Sequence, residues 1–191
     1  MPSVRGKKMS NILDKLQGGD LRSIGKANEV VKEIKKNPAL FNEVFCGLSD
    51  NDPVIRMRSA DVVEKVTKDR PELLLGYSSK VISILASVDQ QEVCWHLAQI
   101  SPRLEYTKQE KRRVTESLKK LLSHKSKIVR VSAMEALTSF AERDESILKE
   151  VTELIMAQMK NGSPAVLARG RNLLRRLEGK KVNETLKNQW S

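Results

Sequence analysis

Between Val129 and Phe140 the chain reads VRVSAMEALTSF, with apolar residues at Val129, Ala133, Ala136, Leu137 and Phe140. Steps of three and four residues place these side chains on one side of a helix. The frame Ala133, Ala136, Leu137, Phe140 recurs along the chain. It returns as Ala27, Val30, Val31, Ile34, then as Ser59, Val62, Val63, Val66. It returns again as Leu97, Ile100, Ser101, Leu104 and as Gly170, Leu173, Leu174, Leu177. The frames start at 27, 59, 97, 133 and 170, so the steps are 32, 38, 36 and 37 residues. A period in this range marks an array of supersecondary units.

The residues ahead of each frame carry turn chemistry: GGD at 18–20, DNDP at 50–53, VDQQ at 88–91, SHKSK at 123–127 and NGSP at 161–164. Asp52 before Pro53 and Ser163 before Pro164 are N-cap and first-turn proline pairs, which start helices. Ahead of each turn the pattern predicts another amphipathic helix, in PALFNEVFCGL, PELLLGYSSKVISILAS, EKRRVTESLKKLL and SILKEVTELIMAQM. The short SNILDKLQ fills that place in the first unit. Strand-like alternation of comparable length is lacking, so the expected class is all-α. Each unit then reads helix, tight turn, helix, and such pairs bury their apolar faces by stacking on neighbours.

Two stretches carry a resemblance. PVIRMRSADVV and KIVRVSAMEAL resemble the second helix of a HEAT repeat, with Arg56 and Arg130 at the matching arginine position. Cys94, Leu167 and Ile24 stand there in the third, fifth and first units. The resemblance covers residues 10–178, with a basic tail at 1–9 and a C-terminal tail at 179–191. It implies a right-handed α-α superhelix of about five HEAT-like helix pairs, whose second helices line a concave face. HEAT arrays serve many functions, so the resemblance names no activity.

On that face Val131 lies nearly opposite the core stripe, and its equivalents are Gly25, Met57, Trp95 and Ala168. An apolar line centred on Trp95 is expected, either as a contact ridge for a peptide or stacked base or as extra core against the next helix. The neighbouring row reads Lys26 and Glu33, Arg58 and Lys65, His96 and Arg103, Ser132 and Ser139, Arg169 and Arg176. The other flank includes Asp61, Glu135 and Glu142. The basic row is either a docking edge or one side of a ladder of surface ion pairs. The candidate partner-binding set is therefore Met57, Arg58, Lys65, Trp95, His96, Arg103, Val131, Arg169 and Arg176.

Composition sharpens the choice of partner. Aromatics are 4% of the residues and charged residues 31%, so the core must come from Leu, Ile, Val, Ala and Met. The formal charge of +11 favours acidic partners. It is uneven: residues 107–130 carry +7, residues 1–36 and 161–191 carry +5 each, and the two remaining segments carry −3 each. The run KQEKRRVTESLKK belongs to a first-type helix on the convex side, where it is a solvated face or a second electrostatic patch.

Catalytic signals are sparse. The chain has no GxxxxGK[ST], HExxH or GxGxxG, and its two cysteines and two histidines form no metal-ligand spacing. No cofactor is expected. The widely separated Cys46 and Cys94 suit a reduced, cytoplasmic setting without a disulfide. No stretch of about 18 apolar residues is present, so membrane insertion is not expected. HEAT-like folds include alkylpurine DNA glycosylases, whose chemistry would need a concave carboxylate and aromatic contacts; Asp61 and Trp95 are the residues in place for it, without a second groove tryptophan. The expected function is a non-enzymatic scaffold that binds a protein or acidic peptide in its concave groove. The alternative is a nucleic-acid binder that uses the basic row on phosphates.

Overall fold

The computed structural model describes residues 11–160 and 162–189, with side chains as far as Gly179. The expected tail at 1–9 lies outside the described residues. Among those described, every regular element is helical: α1 (Ala27–Lys36), α2 (Phe41–Cys46), α3 (Pro53–Asp69), α4 (Ser78–Ser87), α5 (Gln91–Ile100), α6 (Lys108–Leu121), α7 (Lys127–Ala141), α8 (Leu148–Lys160) and α9 (Pro164–Gln189), with short 3₁₀ segments between them. Contacts divide the chain into two compact units, one up to Leu73 and one from Leu74 onward. The division falls between α3 and α4.

The repeating frame marks the core in both units. Every frame residue is buried except Val31 and Leu174, which are half-buried. In the N-terminal unit α1 and α2 pack on α3. In the C-terminal unit α5 packs on α7 and α7 on α9, while α4 packs on α6. Four of the five frames begin with a small residue, Ala27, Ser59, Ala133 and Gly170. A Cβ on Gly170 would run into the Met159 side chain of α8, which would have to shift to admit it.

Turn chemistry starts the helices as expected. Asp52 Oδ1 accepts from Val54 N at 2.8 Å, with Pro53 as the first residue of α3. Thr107 and Glu110 form a reciprocal capping box at α6: Thr107 Oγ1 accepts from Glu110 N, and Glu110 Oε2 accepts from Thr107 N at 3.0 Å. Glu110 Oε1 also accepts the hydroxyls of Ser78 and Ser79 at 2.7 and 2.9 Å, which ties the start of α4 to the start of α6.

The arginines behind the HEAT resemblance do the same work in both units. Arg56 Nη1 donates to the carbonyls of Asp50 and Asn51 at 2.8 and 3.0 Å. Arg130 Nη1 donates to those of His124 and Lys125 at 2.7 and 3.2 Å. Each reaches back six and five residues and satisfies turn carbonyls that precede the helix. The turns match as well. Asp50 Oδ1 accepts from Asp52 N at 2.8 Å, and His124 Nδ1 accepts from Ser126 N at 3.0 Å. His124 is therefore a turn residue that takes the place of an aspartate. Cys94, at the arginine position of the third unit, points its Sγ at the carbonyl six residues back, Val88 O, at 3.5 Å.

Several first helices are shorter than the pattern predicts. SNILDKLQ forms only the 3₁₀ segment Ile12–Leu16, after which Gly18 and Gly19 take φ of 72° and 76°. PALFNEVFCGL is split between α2 and flanking 3₁₀ turns. PELLLGYSSKVISILAS breaks at Gly76, where φ is 79° and α4 has yet to begin. These glycines adopt left-handed backbone that other residues resist. In the third unit α5 stops at Ile100, and Ser101–Arg103 turn as 3₁₀ around Pro102. At the other end, α9 continues past residue 178, where the sequence boundary stood.

Candidate functional site

The nine candidate residues divide between the two units. Met57, Arg58 and Lys65 lie on α3 of the N-terminal unit. There Met57 is 5% exposed and Arg58 only 3%. Neither offers a surface contact, against the expectation from helical angle. The reason for Arg58 is the chain ahead of α1, which folds over it. Its Nε donates to Ser23 O at 3.0 Å, and its Nη1 donates to Leu16 O and Gln17 O, both at 2.9 Å. Lys65 Nζ is held by Asp61 at 2.7 Å and donates to Asn28 Oδ1 of α1 at 2.9 Å. Asp61, the carboxylate a glycosylase reading would use, is thus the partner of a lysine one turn away on its own helix.

The other six lie in the C-terminal unit, on α5, α7, α9 and the 3₁₀ turn after α5. Trp95, His96, Arg103 and Val131 are half-buried. The Trp95 and His96 rings meet at 5.1 Å between centroids, tilted by 56°. The arginines of α9 reach α7 in register. Arg169 pairs with Glu135. Arg176 holds Glu142, just past the end of α7, through two bonds, from Nε at 2.8 Å and from Nη2 at 2.7 Å. Both pairs span 34 residues, close to the repeat period. The acid row and the basic row of the sequence are therefore two sides of one ladder, and the second-helix face of this unit is close to charge-balanced where α9 meets α7.

The positive charge that lacks partners sits elsewhere. On α6, Lys111 reaches Asp144 at 3.3 Å, and Lys119 holds Glu116 at 2.7 Å and Glu150 at 2.6 Å. Lys108, Arg112, Arg113 and Lys120 are exposed and form no ion pair among the described residues. Beside them a cavity of about 510 Å³ opens among Tyr106, Lys108, Lys111, Arg112, Thr115 and the Asp144–Ile147 turn. The Tyr106 ring packs on Phe140 at 5.8 Å, and burial pushes its phenol well above the ordinary tyrosine range. The sequence pointed to this basic run but not to the cavity beside it, which depends on how the turn after α7 meets α6.

Burial pushes the Cys94 thiol up to about 11, with Asp89 and Glu92 adding to the effect, so it stays protonated near neutral pH. No group of three His, Cys, Asp or Glu side chains gathers as a metal-ligand set among the described residues. Among the same residues, no helix is long and apolar enough to cross a membrane. No protein-family model, curated protein or solved structure matches the chain.

Proposed function

We propose that the chain is a non-enzymatic scaffold built from HEAT-type helix pairs, and that the second-helix face of its C-terminal unit binds a protein segment around Trp95 and Val131. The five-pair superhelix implied by the sequence resemblance is part of this proposal. One observation carries the choice of partner class: Arg169 and Arg176 are matched by Glu135 and Glu142, while Trp95 is only half-buried. A phosphate backbone is held by cations free to replace its counterions, and arginines already paired with carboxylates do this poorly. A protein segment instead gains from an aromatic anchor ringed by satisfied polar groups.

A second reading has its own support. The unpaired Lys108, Arg112, Arg113 and Lys120 on α6 suit an acidic peptide or a nucleic-acid backbone. On such a patch, charge raises the encounter rate more than it holds the complex.

A pull-down with wild-type and Trp95→Ala baits, each from nuclease-treated and untreated extract, tests the choice. The scaffold reading expects a protein that survives nuclease and is lost with Trp95→Ala. A nuclease-sensitive partner that is indifferent to Trp95 contradicts it and moves the function to α6.

A further inference from the structure

Arg58 is an unusual cation. It is 3% exposed, and a buried charge is costly unless something balances it. Its Nε and Nη1 are satisfied by three backbone carbonyls, which are dipoles rather than charges. Among the described residues it forms no ion pair, and its Nη2 has no hydrogen-bond acceptor. Asp20 is near enough to feel the guanidinium, but both of its carboxylate oxygens are engaged by Arg22, which donates from its backbone N, from Nε and from Nη2 at 2.9, 3.0 and 2.7 Å.

Arg58 also lines a cleft of about 440 Å³ within the N-terminal unit. Two further cations, Lys15 and Lys26, line the cleft, against one carboxylate, Asp14. Lys15 is held by Glu33 at 2.6 Å, whereas Lys26 has no ion pair among the described residues. Two glycines line the cleft. Gly25, at φ 51°, stands where a Cβ would meet the guanidinium carbon at 2.8 Å, and a Cβ on Gly18 would project into empty space. A buried arginine without an ion pair and an unpaired lysine on one cleft, against the single carboxylate of Asp14, make it a receptor for negative charge.

We propose that this cleft binds the phosphate group of a small ligand, with Arg58 Nη2 and the Lys26 ammonium as its principal donors. Phosphate fits better than carboxylate, because the donors belong to two separate side chains. Arg58 offers the N–H groups of a single nitrogen rather than the two-pronged edge that matches a carboxylate. Four tetrahedral oxygens accept such scattered donors, whereas a carboxylate offers two in one plane. This site lies in the other compact unit from Trp95 and does not depend on the scaffold reading.

The test is an NMR titration of the whole protein with inorganic phosphate and, separately, phenyl phosphate, with sodium chloride at matched ionic strength as the control. The Arg58 Nε–H and the Gly18, Gly25 and Lys26 amide signals should move saturably with both phosphates and not with chloride. Removing Arg58 would release the loop it clamps, so the variants are Lys26→Glu and, as a charge-matched control on the same segment, Lys32→Glu. Lys26→Glu should weaken binding about tenfold or more and Lys32→Glu by less than about threefold. Tighter binding of phenyl phosphate than of inorganic phosphate would identify an organic phosphate as the ligand; equal binding would identify the free ion. Equal loss in the two variants, or shifts reproduced by chloride, would overturn the proposal.

Discussion

Arg176 and Arg112 belong to the same compact unit, and both are exposed arginines on helices, yet they are chemically different surfaces. Arg176 is fixed by two hydrogen bonds to Glu142, whereas Arg112 borders a cavity and meets no carboxylate among the described residues. A net charge of +11 does not distinguish them. What separates them is register: α9 lies on α7 with a spacing that brings basic and acidic rows opposite one another, while α6 carries more cations than its neighbours supply acids. The lesson is that a basic row on stacked helices is a candidate binding edge only after the opposite helix has been checked for its complement.

The largest effect should come from loosening the helix that aligns the ladder. Leu137 on α7 is 1% exposed, and Leu137→Ala should cost about 2–5 kcal/mol in a denaturant titration. A cost near zero would mean that α7 is not the fixed element between α5 and α9. Next, Trp95→Ala should cost a bound protein segment about 2 kcal/mol or more, roughly thirtyfold, by calorimetry. The paired substitution Arg112→Glu with Arg113→Glu should change that affinity by much less, because neither residue lies on the second-helix face. An equal loss from both would erase the distinction between the two surfaces.

Smaller effects sharpen the same comparison. A double-mutant cycle between Arg176 and Glu142 should return a coupling of about 0.2–1 kcal/mol, the range for exposed pairs. A cycle between Arg112 and Glu142 should return none. Glu110 offers a test by pH. Hydrogen bonds from Ser78, the Thr107 backbone, Ser79 and the Thr107 hydroxyl, in that order, hold its carboxyl down at about 2, against an ordinary value of 4.5. A folded-state value below the unfolded one stabilises the fold above about pH 4.5, and that contribution fades as pH falls toward 2. Glu110→Gln should therefore lose stability at neutral pH and show a flatter acid limb than wild type. Parallel acid limbs would show that the link between α4 and α6 contributes little.

Much of the architecture was legible because it rests on period and turn chemistry. The five frames predicted helices, and their residues are buried almost without exception, including Ser101 and Leu104, which follow the end of α5. Asp52 with Pro53, and the paired roles of Arg56 and Arg130, were likewise local features that spacing could find. The candidate site was legible only in part. Helical angle placed Arg58 on the presumed groove, but the fate of a long side chain depends on what folds over it. Here that is the loop with Gly18, Gly19 and Gly25, whose cluster of glycines was the available signal of an irregular segment in need of donors. Helical angle also put Met57 on that line, where the structure buries it. Pairing of Arg169 with Glu135 was visible as two rows but not as contacts, since only the packed helices fix their distance.

The central claim is that the second-helix face of the C-terminal unit binds through its aromatic anchor and not through net charge. The direct measurement is the affinity of the nuclease-resistant protein partner between about 50 and 200 mM salt, for wild type and Trp95→Ala, beside a DNA duplex under the same conditions. The account predicts that the protein partner loses only a few-fold with salt but about thirtyfold with Trp95→Ala, while any duplex binding falls steeply with salt and ignores Trp95. A protein complex that collapses with salt and survives Trp95→Ala would contradict it.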